Sequence, residues 1–132
     1  MEEVLPTLVE LRSQGVVKAI GAGMNQWEML ARFAREADFD CFLMAGRYTL
    51  LDQTGLELLS FCEEKGIGVI LGGPYNSGIL ASDLDPKVTH WMLTQRGKRE
   101  VAASEIVQRA IRIRSVCQRY GVPLKAAALQ FG

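Results

Sequence analysis

The sequence predicts an α/β protein in which a parallel sheet is wrapped by helices, and three observations carry that expectation. A helical apolar stripe, a glycine and a short apolar run follow one another three times, so that strands recur roughly every 25 residues. Two of these junctions, residues 14–21 and 65–72, read as near copies of one another, the mark of a repeated unit. The apolar runs are short and bounded by glycine, the composition of strands covered on both faces. Such strands belong to parallel sheets whose functional loops lie beyond the strand C-termini.

Each element follows in turn. Val4, Leu5, Leu8, Val9 and Leu11 recur at helical spacing, Gly15 supplies a left-handed cap, and a strand is expected at about 17–22. A second helix runs from Trp27 to about Ala37 with Leu30, Ala31 and Ala34 on one face, and leads into a strand at 41–45. In the third unit Asp52 is the expected N-cap and Leu56, Leu59 and Cys62 the apolar stripe. Gly66 ends that helix, and 67–71 is the strand. Residues 82–100 are polar, with Asp85-Pro86 opening a short helix and 95–99 a solvated loop. A longer helix from Ser104 has Ile106, Ala110, Ile113 and Cys117 on its buried side and Arg109, Arg112, Arg114 and Arg119 on its wet face, and ends at Gly121. Pro123 then starts a further apolar helix.

The length of 132 residues with 48% hydrophobic content suits a single domain over 1–132. Fifteen basic residues balance fifteen acidic ones, which leaves no electrostatic footprint for nucleic acid or an anionic membrane. Cys41, Cys62 and Cys117 are odd in number and lie in apolar runs, as reduced core thiols do, and no metal cluster or disulfide frame is expected. The first residues have neither a basic region nor an apolar core, and no segment reaches the roughly 18 apolar residues of a membrane span. A cytoplasmic protein is expected.

The stretch 66–78 carries most of the functional information. Its strand runs straight into Gly72, Gly73, Pro74, Tyr75, Asn76, Ser77 and Gly78, a polar turn in which glycines allow a bound group to approach the backbone. Asn76 and Ser77 add side-chain donors for a carbonyl or phosphate oxygen. The competing reading is an ordinary Pro/Gly turn.

Five motifs in register then suggest a family: 11–21, Met24-Asn25, Arg47-Tyr48-Thr49-Leu50-Leu51-Asp52, 73–80, and 121–124 with 127–131. Together they resemble the aldo-keto reductases, and most nearly the branch containing L-fucose dehydrogenase and D-threo-aldose 1-dehydrogenase. The resemblance implies a (β/α)8 barrel that uses NADP or NAD to interconvert carbonyl and alcohol groups of a sugar or similar aldehyde. It covers only the later part of such a barrel, from the helix before the fifth strand to the helix before the eighth, so about three parallel strands are expected. The family's catalytic Tyr, Lys, Asp and His have no counterpart positions here, and no catalytic residue is assigned. His90 reads as a surface or packing residue, and Tyr48, Tyr75 and Tyr120 lack the neighbouring Lys that a proton donor would need.

Part of a cofactor cradle does carry over. Asn25 matches the family's Asn that binds the nicotinamide carboxamide, against the alternative of an Asn capping the helix near Trp27. Residues 72–78 match the loop that lies against the nicotinamide and pyrophosphate. There are departures: the usual Ser-Asn is Met24-Asn25, the usual Gln after the sixth strand is Ala45, and the aromatic that stacks on the nicotinamide falls at Gly72, leaving Tyr75 as the candidate to cover the ring. Three readings stand: a segment of such an oxidoreductase, silent by itself; a non-catalytic half-barrel binding or scaffold protein that dimerises, with or without a retained phosphate or nucleotide site; and an unrelated doubly wound fold with 72–78 as its ligand crevice. The open sheet edges of a half-barrel need cover, so a homo-oligomer is expected of the purified chain.

Overall fold

The computed structural model describes residues 4–82 and 100–132. The expectations placed on 85–86 and 95–99, and His90, lie outside the described residues. The contacts group the chain into two compact units. One comprises Met1–Arg47 with Thr54–Gly72, the other Tyr48–Gln53 with Gly73–Gly132.

The first unit holds helix α1 (Val4–Ser13), strand β1 (Gly21–Met24), helix α2 (Trp27–Glu36), strand β2 (Cys41–Ala45), helix α3 (Leu56–Lys65) and strand β3 (Gly68–Gly72). The strands form one parallel sheet in the order β1-β2-β3, as the repeat of helix, glycine and strand requires. Gly15 and Gly66 take the left-handed conformation where α1 and α3 end, at φ 72° and 70°. Phe42 and Met44 of β2 are fully buried together with Leu30, Ala31 and Ala34 of α2 and Leu58 and Cys62 of α3. The rings of Phe33, Phe39 and Phe42 pack in sequence from α2 to the sheet.

Among the described residues the other sheet face is open. Gly23, Leu43 and Ile70 are in register across the three strands, and Leu43 and Ile70 keep 43% and 59% of their surface exposed. The strands are therefore covered on one face only by the described residues, whereas their composition predicted cover on both.

Three local expectations are corrected. The first strand starts at Gly21 and not near Val17, because the Asp40 carboxylate takes the Ile20 N–H at 2.8 Å and pairing with β2 begins only beyond it. Asp52 does not cap α3: Gly55 holds that position, and the Asp52 N–H turns back to the Thr49 carbonyl and hydroxyl. The buried stripe of α3 is Leu58 and Cys62, while Leu56 is 52% exposed. Three leucines within four residues permit either phase, and periodicity alone does not choose.

At the N-terminal ends of β1 and β2, Arg12 donates to Asp40 Oδ2 at 2.7 Å and to Asp38 Oδ2 at 3.0 Å. The Ile20 N–H and, after it, the Arg12 guanidinium hold the Asp40 carboxyl below the usual carboxylate range. The close packing of this end is fixed by Gly21, where a Cβ would stand 2.3 Å from the Cys41 carbonyl oxygen. Cys62 is buried, which pushes its thiol up, and Cys41 and Cys117 are half-buried; all three are free.

The second unit is helical. A 3-10 turn (Ile79–Ala81), helix α4 (Glu100–Arg119) and helix α5 (Leu124–Gln130) pack around Leu51, Ile79, Leu80, Val107, Ala110, Leu124 and Ala128. Helix α4 starts four residues before the expected Ser104. Its most buried residues are Val107 and Ala110, with Ile106, Ile113 and Cys117 partly packed beside them. Gly121 is left-handed at φ 66°, as expected of the residue after α4, and Pro123 stands at the N-cap of α5. No helix among the described residues is long and apolar enough to cross a membrane.

Candidate functional site

In the sheet unit, Asn25 follows directly on the last residue of β1. Helix α2 is capped by Gln26 without a side-chain bond, so capping does not occupy the Asn25 carboxamide. The backbone carbonyl of Asn25 accepts from Arg47 Nε at 2.9 Å, which ties the end of β1 to the segment leaving β2. The carboxamide itself is exposed and makes no hydrogen bond among the described residues. It can offer both a donor and an acceptor to an external amide.

Gly72 ends β3, and its carbonyl accepts the Gly46 N–H at 2.8 Å. A Cβ at this position would lie 3.1 Å from Leu43 Cδ2 and 3.5 Å from Ala45 Cβ. The side chain of β2 thus crowds the place from which an aromatic at 72 would have to start.

The turn 73–78 belongs to the second unit. It is closed by hydrogen bonds from Asn76 N to the Gly73 carbonyl and from Gly78 N to the Tyr75 carbonyl, both at 3.0 Å. Gly73 and Gly78 adopt φ 66° and 94°, which accounts for glycine at both ends. Between them Asn76 and Ser77 also have positive φ, 47° and 63°. A left-handed conformation costs an L-residue roughly 1–2 kcal/mol, and asparagine tolerates it better than most. The turn therefore stores strain in its two polar residues. The N–H groups of Tyr75 and Ser77 make no hydrogen bond among the described residues. Pro74 is half-buried, and Tyr75 packs partly against the helical core of its unit.

The strain has a visible restraint. Thr49, 1% exposed, donates its hydroxyl to Asn76 Oδ1 at 2.5 Å. The Thr49 hydroxyl oxygen also accepts the N–H groups of Leu51 and Asp52, each at 3.1 Å, and Leu51 is itself part of the buried core. Tyr48, beside Thr49, stacks on Phe131 with ring centres 5.1 Å apart.

Of the residues expected from sequence, Gly73, Pro74, Tyr75, Asn76, Ser77 and Gly78 come together in one strained turn, while Asn25 and Gly72 lie at the C-terminal ends of β1 and β3 in the sheet unit. The sequence places Arg47 and Thr49 in a family motif but gives them no role, and it does not show the left-handed geometry of Asn76 and Ser77. The signal for the last was the Asn between two glycines, since Asn is the residue other than glycine most at ease there.

Comparison with known proteins relates the chain to a family. The aldo/keto reductase family profile matches residues 1–132. The chain is 40% identical to a pyridoxal 4-dehydrogenase of Microbacterium luteolum over 125 residues, 94% of this chain and 34% of that protein. It is also 40% identical to a D-threo-aldose 1-dehydrogenase of a Pseudomonas species, over 99% of this chain and 38% of that protein. An NADH-specific methylglyoxal reductase of Escherichia coli K12 is 29% identical over 62% of this chain and 25% of its own length. The chain thus spans about a third of the length of the first two relatives.

Proposed function

The chain belongs to the aldo/keto reductase family, and on that premise we propose that it is the cofactor-holding segment of an NAD(P)-dependent oxidoreductase that interconverts carbonyl and alcohol groups of sugars or related aldehydes. The observation that supports this most is the turn 73–78. Its strained polar residues, and N–H groups unpaired among the described residues, form a donor set suited to phosphate oxygens, and Gly73 leaves its surface without a side chain. Taken unit by unit, the donor chemistry of these residues suits parts of a dinucleotide. Asn25 would hold the nicotinamide carboxamide through its exposed amide, and Gly72 to Gly78 would lie along the nicotinamide and pyrophosphate. Bound there, the nicotinamide supplies hydride exchange with a carbonyl carbon. The chain's own residues bind and orient. In this reading no residue of the chain moves the proton, which is the work of the Asp, Tyr, Lys and His of the other barrel half, so the chain alone is silent. The names of the two 40%-identical relatives, an aldose and a pyridoxal dehydrogenase, favour an aldose or aromatic aldehyde as substrate. Three free thiols are in keeping with a cytoplasmic location.

The test is turnover and cofactor titration of the chain alone and mixed with a complementary first half-barrel, with NADH and NADPH. Binding and turnover in the mixture, with no turnover by the chain alone, are expected. Robust turnover by the chain alone would overturn the assignment of the catalytic groups elsewhere.

A second reading, a non-catalytic half-barrel that self-associates, is favoured by the open row of Leu43 and Ile70. It expects a homo-oligomer at micromolar concentration and no turnover in either preparation, with or without a retained nucleotide site. A stable monomer in light scattering would count decisively against it.

A further inference from the structure

We propose that Thr49 is a positioning residue for the cofactor: its buried hydroxyl fixes the Asn76 carboxamide with oxygen inward and amine outward, so that the turn presents a donor to an anionic ligand oxygen. The inference rests on the reading that this turn holds the cofactor. Its strength lies in hydrogen-bond capacity. A threonine hydroxyl has one proton and two acceptor sites. The N–H groups of Leu51 and Asp52 occupy both acceptor sites, at 3.1 Å each. The remaining proton must be donated, so the atom of Asn76 facing it must be an acceptor, which only Oδ1 can be. The orientation of the amide follows from this count and not from distances alone.

The consequence falls on Nδ2. It makes no hydrogen bond among the described residues and is not buried, so it reaches solvent as a donor with spare capacity. It belongs to the same turn as the N–H groups of Tyr75 and Ser77, which are likewise unpaired. Three donors in one turn, with no carboxylate in the segment 72–78, suit the oxygens of a pyrophosphate and not a cation. Thr49 sits 1% exposed beside a core leucine, so the arrangement is rigid before any ligand arrives.

The experiment is NADH and NADPH titration, by fluorescence, of the chain mixed with a complementary half-barrel, for wild type, Thr49→Val, Thr49→Ser, Asn76→Ala, Asn76→Asp and the double variant Thr49→Val/Asn76→Ala. Thr49→Val is expected to weaken affinity about tenfold, and Thr49→Ser, which keeps the hydroxyl, to restore it. In the Asn76→Ala background Thr49→Val should cost nothing further, because it acts through Asn76. Asn76→Asp keeps the acceptor for Thr49 and so keeps the fold in thermal unfolding. It replaces the outward donor by a negative oxygen and should bind more weakly than Asn76→Ala. Wild-type affinity in Asn76→Asp, full additivity in the double variant, or a Thr49→Ser as weak as Thr49→Val would overturn the inference while leaving cofactor binding by the turn intact. Unchanged affinity in Asn76→Ala, or no binding by the wild type, would instead remove the cofactor reading itself and the inference with it.

Discussion

The entrance to the sheet and the polar turn of the helical unit are built from similar material, glycines with a few polar side chains, to opposite ends. At the entrance, Arg12, Asp40 and the Ile20 N–H satisfy one another, and Gly21 serves close packing of one strand on the next. In the turn, Asn76 and Ser77 carry left-handed strain, and the donors of Asn76, Tyr75 and Ser77 have no partner within the described residues. A satisfied cluster stabilises. A strained one with spare donors supports the proposed ligand role, since the inference from such an outlier runs toward function.

Substitutions can sharpen or break that contrast. The largest stability loss is expected at the entrance: Gly21→Val forces a branched side chain onto the Cys41 carbonyl and should cost about 3 kcal/mol in urea unfolding. If it were tolerated, the entrance would not be the packed end. Gly73→Val, at φ 66°, should cost about 2 kcal/mol of stability and also weaken cofactor binding in the reconstituted barrel, an effect Gly21→Val should not have in its folded fraction. Ser77→Gly should relieve the strain, raising stability by up to about 1 kcal/mol while slightly weakening binding through the lost hydroxyl. A loss of stability would mean that the turn is not strained.

The smallest effect is one of pH. The folded Asp40 carboxyl is depressed, so its contribution is complete above the ordinary carboxylate value of about 3.9 and is lost as pH falls through the lower folded one. Wild type should therefore lose more stability than Asp40→Asn on acidification from pH 5 to 3. Equal losses would remove Asp40 from the entrance lock.

Much of this contrast was legible in the residues. Gly15, Gly66 and Gly121 marked the helix ends, and the glycine-bounded apolar runs marked parallel strands, because a left-handed cap and a short apolar run between glycines leave strong local signals even where one sheet face is exposed. The first strand was misplaced because Gly21-Ala22-Gly23-Met24 has low intrinsic strand preference, and its pairing is decided by a carboxylate 20 residues away in the chain. Asp52 resembles a cap in sequence, but a competing turn with Thr49 claims its N–H. The turn 72–78 could be found from its glycines. Its restraint by Thr49 could not, since 27 residues separate the two partners and only folding brings them together.

The central claim is that the chain carries donors for a nicotinamide dinucleotide, and Asn25 is its most exposed test. Titration of the reconstituted barrel with NADH and NADPH should show Asn25→Ala weaker than wild type by about 1–3 kcal/mol, the range for leaving a polar partner unsatisfied, with thermal unfolding unchanged because the Asn25 side chain makes no hydrogen bond among the described residues. Equal dissociation constants for wild type and Asn25→Ala with both cofactors would contradict the account.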